Sequence, residues 1–313
     1  MEIFLQQIIN GVVLGCVYAL IALGYTMVYG ILQLINFAHG DVLMIGALTA
    51  LTAIKAAQAL SPDLPGWVLL LIGMAAAIPT CVILNVTIER LAYRPLRNAP
   101  RLAPLITAIG LSTVIQTAAM LIFSRDPQQV PRLLSSEPYV MHVGEGEILI
   151  TATQLLIIAM SIAMMAGLAY MIEKTKMGRA MRATSENPRV AGLMGVDSNR
   201  VIVLTFAIGA ALAAVAGLLV ASNYGQAHFS MGFMPGLKAF TAAVLGGIGN
   251  IYGAMVGGLV LGMVESLGAG YIGDLTGDVL GSNYQDIFAF VMLIIVLTLR
   301  PSGLMGERVA DRA

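Results

Sequence analysis

The feature that most constrains this chain is a succession of apolar stretches, each about as long as a bilayer is thick. A helix needs about 20 mostly apolar residues to cross roughly 30 Å of hydrocarbon. Such stretches lie at 8–30, 41–60, 66–88, 103–124, 151–172, 201–222, 249–268 and 285–300. A further apolar segment, 233–248, contains Pro235 and runs into a glycine cluster at 246–249. It is too short and too rich in glycine for a comfortable crossing, so a broken or re-entrant helix is expected there, its backbone satisfied by protein or water. The fold class is an all-α polytopic membrane protein of eight to nine transmembrane helices, with one or two broken or re-entrant segments. It is read as one transmembrane domain over 1–313. Composition agrees: 58% of residues are hydrophobic and 11% charged, against about 25% charged in soluble domains.

Orientation follows from lysine and arginine, which collect on the cytoplasmic side. Thirteen of the seventeen basic residues fall in three places. Arg90, Arg94, Arg97 and Arg101 follow the third span. Lys174, Lys176, Arg179, Arg182, Arg189 and Arg200 fill the loop 173–200, and Arg300, Arg308 and Arg312 follow the last span. These regions are expected inside. The loop 125–150, with Glu137, Glu145 and Glu147, and the stretch 273–286, with Asp274, Asp278 and Asp286, suit the outside. Parity then requires segment 233–248 to return the chain inward. The count becomes nine passes, with the N-terminus periplasmic and the C-terminus cytoplasmic. An excursion of 31–40 into the membrane would alter that count. The N-terminus has no basic stretch and no small-residue cleavage site, so the first span is expected to be retained. Trp67, the one tryptophan, opens a span as an interfacial anchor would.

Several function classes have little support. Net charge is zero, which gives no electrostatic basis for a nucleic-acid partner. Cys16 and Cys81 sit in apolar runs and read as small buried hydrophobes. His39, His142 and His228 have no companion at metal-ligand spacing. No G-x-x-x-x-G-K-[ST] occurs, so the chain does not bind ATP in the P-loop manner, and no catalytic motif is present.

Four groups of residues remain. Asn36, His39 and Asp41 interrupt two apolar runs, and polar groups at membrane depth are candidates for a pathway or gate; a plain turn would also account for them. Lys238, Thr241, Gly246, Gly247 and Gly249 belong to the broken segment, whose free backbone groups suit gating or substrate contact. Gly249, Gly253 and Gly257 recur every fourth residue, as do Gly258 with Gly262 and Gly11 with Gly15. Such small-residue rows let helix backbones approach closely. Finally, Asn187 followed by Pro188 reads as the cap and first residue of a short helix that Gly195 ends. Val190, Leu193 and Met194 then share one apolar face. A short amphipathic helix on a basic loop calls for a docking partner or a lipid surface. Two other transport mechanisms were weighed. An ion-coupled secondary transporter usually needs ionisable groups at mid-membrane, and here Glu265 is read as near a span end; a passive channel would leave the short helix without purpose.

The stretches 18–30 (YALIALGYTMVYG), 35–40 (INFAHG), 88–95 (IERLAYRP), 177–180 (MGRA), 238–249 (KAFTAAVLGGIG) and 300–304 (RPSGL) occur in an order that resembles the permease subunits of branched-chain amino-acid ABC importers, of the LivH type. The resemblance runs over nearly the whole chain and is weak in 125–150 and 268–284. It implies a bacterial inner-membrane permease that works with a homologous second permease, two cytoplasmic ABC ATPases and a periplasmic substrate-binding protein. ATP and magnesium would be bound by the ATPases, and this chain would hold no cofactor of its own. The segment 184–196 would be the ATPase-coupling helix, with Glu186 and Arg189 as polar contacts beside Asn187, Pro188, Val190, Leu193, Met194 and Gly195.

Overall fold

The computed structural model describes residues 2–97, 99–100, 102–134, 137–143, 146–277, 284–300 and 302–306. Arg101, Glu145, Asp278, Pro301, Arg308 and Arg312 lie outside them. Among the described residues, seven helices are long and apolar enough to cross a membrane. They are α1 (Glu2–Leu32), α2 (His39–Leu60), α3 (Gly66–Ile88, continuing as far as Leu96), α4 (Leu102–Phe123), α5 (Ala152–Lys174), α8 (Ser198–Tyr224) and α10 (Ile251–Thr276). Two short helices, α6 (Lys176–Glu186) and α7 (Pro188–Leu193), link α5 to α8. Two apolar helices, α9 (Phe233–Gly246) and α11 (Gln285–Leu299), have 14 and 15 residues. At 1.5 Å per residue each spans only about 21–23 Å, less than the hydrocarbon thickness. The all-helical polytopic class is therefore the one the sequence indicated.

Contacts at the helix ends define two faces. On the first, Gln6 on α1 exchanges hydrogen bonds with the Leu149 backbone (3.1 and 3.0 Å). Strand β1 (Gln128–Gln129) pairs antiparallel with β4 (Gln226–Ala227), joining the ends of α4 and α8. Lys55 near the end of α2 donates to Gln128 (2.9 Å). On the second face, Arg97 donates to Asn199 at the start of α8 (2.7 Å), and Tyr252 on α10 meets Glu173 at the end of α5. The stretch 302–306 returns there to satisfy the last carbonyls of α9, which no helical N–H reaches: Leu304 N–H bonds Leu245 and Met305 N–H bonds Gly246 (2.8 and 2.9 Å). The described parts of the basic segments thus share one face, and 125–150 shares the other with the N-terminal end of α1.

Two helices start inside the bundle. After α1, Gln33 adopts a left-handed conformation (φ 53°) and the chain turns back inward. His39, at the start of α2, lies against Gly24, eight residues and therefore about 12 Å up α1 from its end. The start of α9 comes from the other face, and Gly40 meets Gly232 and Gly236 so closely that neither Gly40 nor Gly232 has room for a Cβ. The suspected excursion at 31–40 is thus a short inward dip. α9 is a short continuous helix that ends at Gly246, and Gly247 (φ 107°) and Gly249 (φ 98°) form the turn into α10. Gly249 therefore belongs to a turn, and only Gly253 and Gly257 of its row pack, against Gly246 of α9.

Three features lay below the resolution of sequence patterning. Residues Glu89–Tyr93 form a turn of π-helix, and the 125–150 loop holds a hairpin of β2 (Tyr139–Val143) and β3 (Gly146–Ile150). The third is α6, in the part of the basic loop 173–200 that precedes the expected short helix; Thr175 caps it by accepting from Gly178 N–H (3.2 Å).

Candidate functional site

Three regions carry the polar chemistry. The first is α7. The Asn187 Oδ1 accepts from the N–H groups of Arg189 and Val190 (3.1 and 3.2 Å), and Pro188 takes the first helical position, where a missing N–H costs nothing. At the other end Val196 N–H bonds the Ala191 carbonyl (3.0 Å) while Gly195 turns left-handed (φ 84°), the geometry that glycine tolerates at low cost. Ala191 faces inward, and Ser198 Oγ ties the start of α8 to the Pro188 carbonyl (3.1 Å). This capped helix presents Val190, Leu193 and Met194 outward at 53%, 87% and 82% exposure, with Glu186 and Arg189 also exposed. Asn187→Ala removes both cap bonds at a cost of about 1 kcal/mol. Amide exchange at Arg189 and Val190 should then accelerate about fivefold with the rest of the chain unchanged, which hydrogen-exchange mass spectrometry can read.

The second region is where α2 and α9 begin. Asn36 Oδ1 accepts from Ala38 N–H (3.1 Å) and from the Tyr93 hydroxyl (2.9 Å), so the inward dip is tied to the π-turn. His39 is buried in a slot left by Gly24 and Gly209, with its ring edge-on to Tyr25 at 4.8 Å. Asp41, in the first turn of α2 where the helix dipole favours a carboxylate, accepts from Gln116 on α4 (2.8 Å). Thr241 is buried on α9 and returns its hydroxyl to the Leu237 carbonyl (3.0 Å). Gly246, Gly247 and Gly249 lie at the far end of α9, about 15–20 Å along the helix from the Gly40–Gly236 contact. The structure therefore brings Asn36, His39 and Asp41 together and leaves the glycine turn apart from them.

In the third region the sequence pointed to Lys238 but not to its partners. Lys238 on α9 points between Glu265 of α10 and Asp286 of α11, 2.5 Å from a carboxylate oxygen of each. The Tyr18 hydroxyl of α1 donates to the second Glu265 oxygen (3.0 Å), and its ring lies 5.8 Å from the Lys238 ammonium. Glu265 is not near a span end: it is the fifteenth of 26 residues in α10 and 1% exposed. Asp286, the last residue of the acidic stretch, sits in the first turn of α11 and closes the cluster. The available signal was a lysine inside an otherwise uncharged segment, which at membrane depth demands a countercharge. A second buried pair joins Glu89 to Arg97 near the second face.

Stacked apolar helices, half-helices that meet inside the bundle and a buried ionic cluster define a polytopic membrane transport protein. Residues 7–297 match the family described as branched-chain amino acid transport system, permease component, and the chain belongs to that family. It is similar to the high-affinity branched-chain amino acid transport system permease protein BraD of Pseudomonas aeruginosa, with 46% identity over 97% of this chain and 96% of that one. It is also similar to LivH of Escherichia coli, 46% identical over 97% and 96% of the two chains. A probable LivH of Methanocaldococcus jannaschii is 28% identical over 96% and 92%.

Proposed function

We propose that this chain is one of two permease subunits of a bacterial inner-membrane ABC importer for branched-chain or related aliphatic amino acids. Its N-terminus is periplasmic and its C-terminus cytoplasmic. A homologous second permease completes the pathway, a periplasmic binding protein delivers substrate to the first face, and two ATPases that bind ATP and magnesium dock on the second. Family membership over 7–297 supports the transport role. The observation that carries the coupling role is α7, which is capped at both ends, held to α8 and left with a bare apolar face. Burying one such leucine or methionine contributes about 1.5–3 kcal/mol, enough to make this face a docking element. The helix starts inside the bundle, with Asn36, His39 and Asp41, and the turn at Gly246, Gly247 and Gly249 are the elements we assign to gating. Thr241 lies between them.

The expected result is that liposomes holding this chain alone neither hydrolyse ATP nor take up leucine. Liposomes that also hold the second permease and the ATPases, supplied with binding protein, should do both. ATP-driven leucine uptake by this chain alone would refute the subunit reading. Uptake that persists without ATP but collapses with an ionophore would mean ion coupling instead.

A further inference from the structure

Beside the ionic cluster lies a cavity of about 260 Å³ between α1, α8, α9 and the start of α11. Its walls have two characters. Lys238 and Asp286 contribute charge, and Val220, Met231 and Met234 contribute aliphatic surface. Drug-sized ligands occupy roughly 300–1,000 Å³, so this volume suits a smaller solute with a charged head and an apolar tail. Flexible methionines adapt to aliphatic shapes of differing branching. A second cavity of about 260 Å³, lined by Gln7, Asn10, Asn223 and Ser266, shares Tyr224 and Gln285 with the first and adjoins the first face.

The two carboxylates that hold Lys238 are not equivalent. Glu265 is 1% exposed and also bound by the Tyr18 hydroxyl, so releasing it would strand a buried charge. Asp286 is 36% exposed, lines the cavity, and has Lys238 as its one salt-bridge partner among the described residues. An uncompensated charge inside a membrane protein is costly. A zwitterion can nevertheless enter here without leaving one.

We propose that this cavity is a transit site for the head group of the amino-acid substrate. The substrate ammonium takes the place of Lys238 on Asp286, and the substrate carboxylate moves onto Lys238. Lys238 keeps Glu265 throughout. One internal ion pair is broken and two are made, and no charge is left bare. The aliphatic side chain lies against Val220, Met231 and Met234. A simple amine or a simple acid supplies only half of this exchange, which gives the site a preference for molecules that carry both charges. The site rests on the amino-acid reading above and adds to it the residues that would receive the substrate inside the membrane.

The test uses the complete importer in liposomes, with leucine uptake and ATP hydrolysis measured separately. Asp286→Asn should lower uptake at least about tenfold while ATP hydrolysis stimulated by binding protein stays within about twofold; Asp286→Glu should restore most uptake. A merely structural cluster would lose both activities together. The second measurement places a cysteine at Met234 in the otherwise unaltered complex, since Cys16 and Cys81 are buried. Leucine should slow its reaction with a water-soluble thiol reagent, whereas 3-methylbutylamine and 4-methylpentanoate at equal concentration should not. Wild-type uptake by Asp286→Asn, or equal protection by all three compounds, would overturn the transit site and leave the importer reading standing. A wild-type importer that takes up no aliphatic amino acid would overturn that reading itself.

Discussion

Leu193→Asp should strip the ATPase from the purified permease complex, and substrate-stimulated ATP hydrolysis should fall with it. Leu193 is 87% exposed on a helix whose caps, Asn187 Oδ1 and the left-handed Gly195, do not involve its side chain. The substitution should therefore leave α7 and the membrane bundle intact, so that its effect falls on the proposed docking. Loss of one buried leucine removes about 1.5–3 kcal/mol, and forcing a carboxylate against an apolar groove adds a few more. At about 1.4 kcal/mol per tenfold, the affinity drops by roughly a hundredfold or more. Arg189→Ala removes only an exposed charge, worth about 0–1 kcal/mol, and should weaken the pair less than about tenfold. Pull-down of the ATPase with each purified variant separates the two cases. Full retention with Leu193→Asp would move the docking site to the exposed Arg90 and Leu91 of the π-turn. Arg97 is a poor alternative there, since it is already engaged with Glu89 and Asn199.

The membrane-crossing elements were legible because lipid leaves only one choice to a long apolar segment: its backbone must bond to itself as a helix. Charge then sorted the loops, and the segments it grouped share faces in the structure. What failed was depth. Span ends were read from where hydropathy falls, so the stretch 249–268 put Glu265 near an edge. The helix in fact runs from Ile251 to Thr276 and places that carboxylate in the interior, opposite Lys238. Hydropathy averages over a turn or two and cannot show that one lysine pairs with two carboxylates across three helices. The same averaging hid the start of α2. The dip at 33–38 is set by Gln33 turning left-handed and by Asn36 accepting from Tyr93, contacts between residues 57 apart in sequence. On α7 the cap dipeptide Asn187-Pro188 was readable because capping is local, involving backbone groups two and three residues away.

Gly258→Leu should abolish folding of the bundle, because α1 and α10 form its most extensive helix pair and touch through glycine. Both helices are small-faced along the contact. A Cβ built at Gly15 would lie 2.7 Å from Leu259 Cα, and one at Gly11 would lie 2.9 Å from Met263 Cα. At Gly258 it would come within 2.5 Å of Ala19 N and 2.6 Å of Ala19 Cα. Those neighbours are backbone atoms, so no rotamer change can make room and the helix axes must part. In lipid there is no hydrophobic gain to offset the loss of contact along the seam, since acyl chains are as apolar as the side chains they replace. Parting also pulls Tyr18 on α1 away from Glu265 on α10 and loosens the ionic cluster that joins α9 and α11 to the pair. Gly262, whose Cβ would meet Gly15 Cα, is subject to the same limit, and Gly253→Leu should act likewise one helix over, where it would strike the Gly246 carbonyl of α9. Gly167 on α5 has no atom within 4 Å of a built Cβ, so Gly167→Leu should be tolerated and even gain helix propensity. Size-exclusion chromatography in detergent distinguishes these outcomes. The Gly258→Leu and Gly253→Leu proteins should lose the monodisperse peak that Gly167→Leu retains. A Gly258→Leu protein with wild-type elution and melting temperature would mean that α1 and α10 do not pack through this seam.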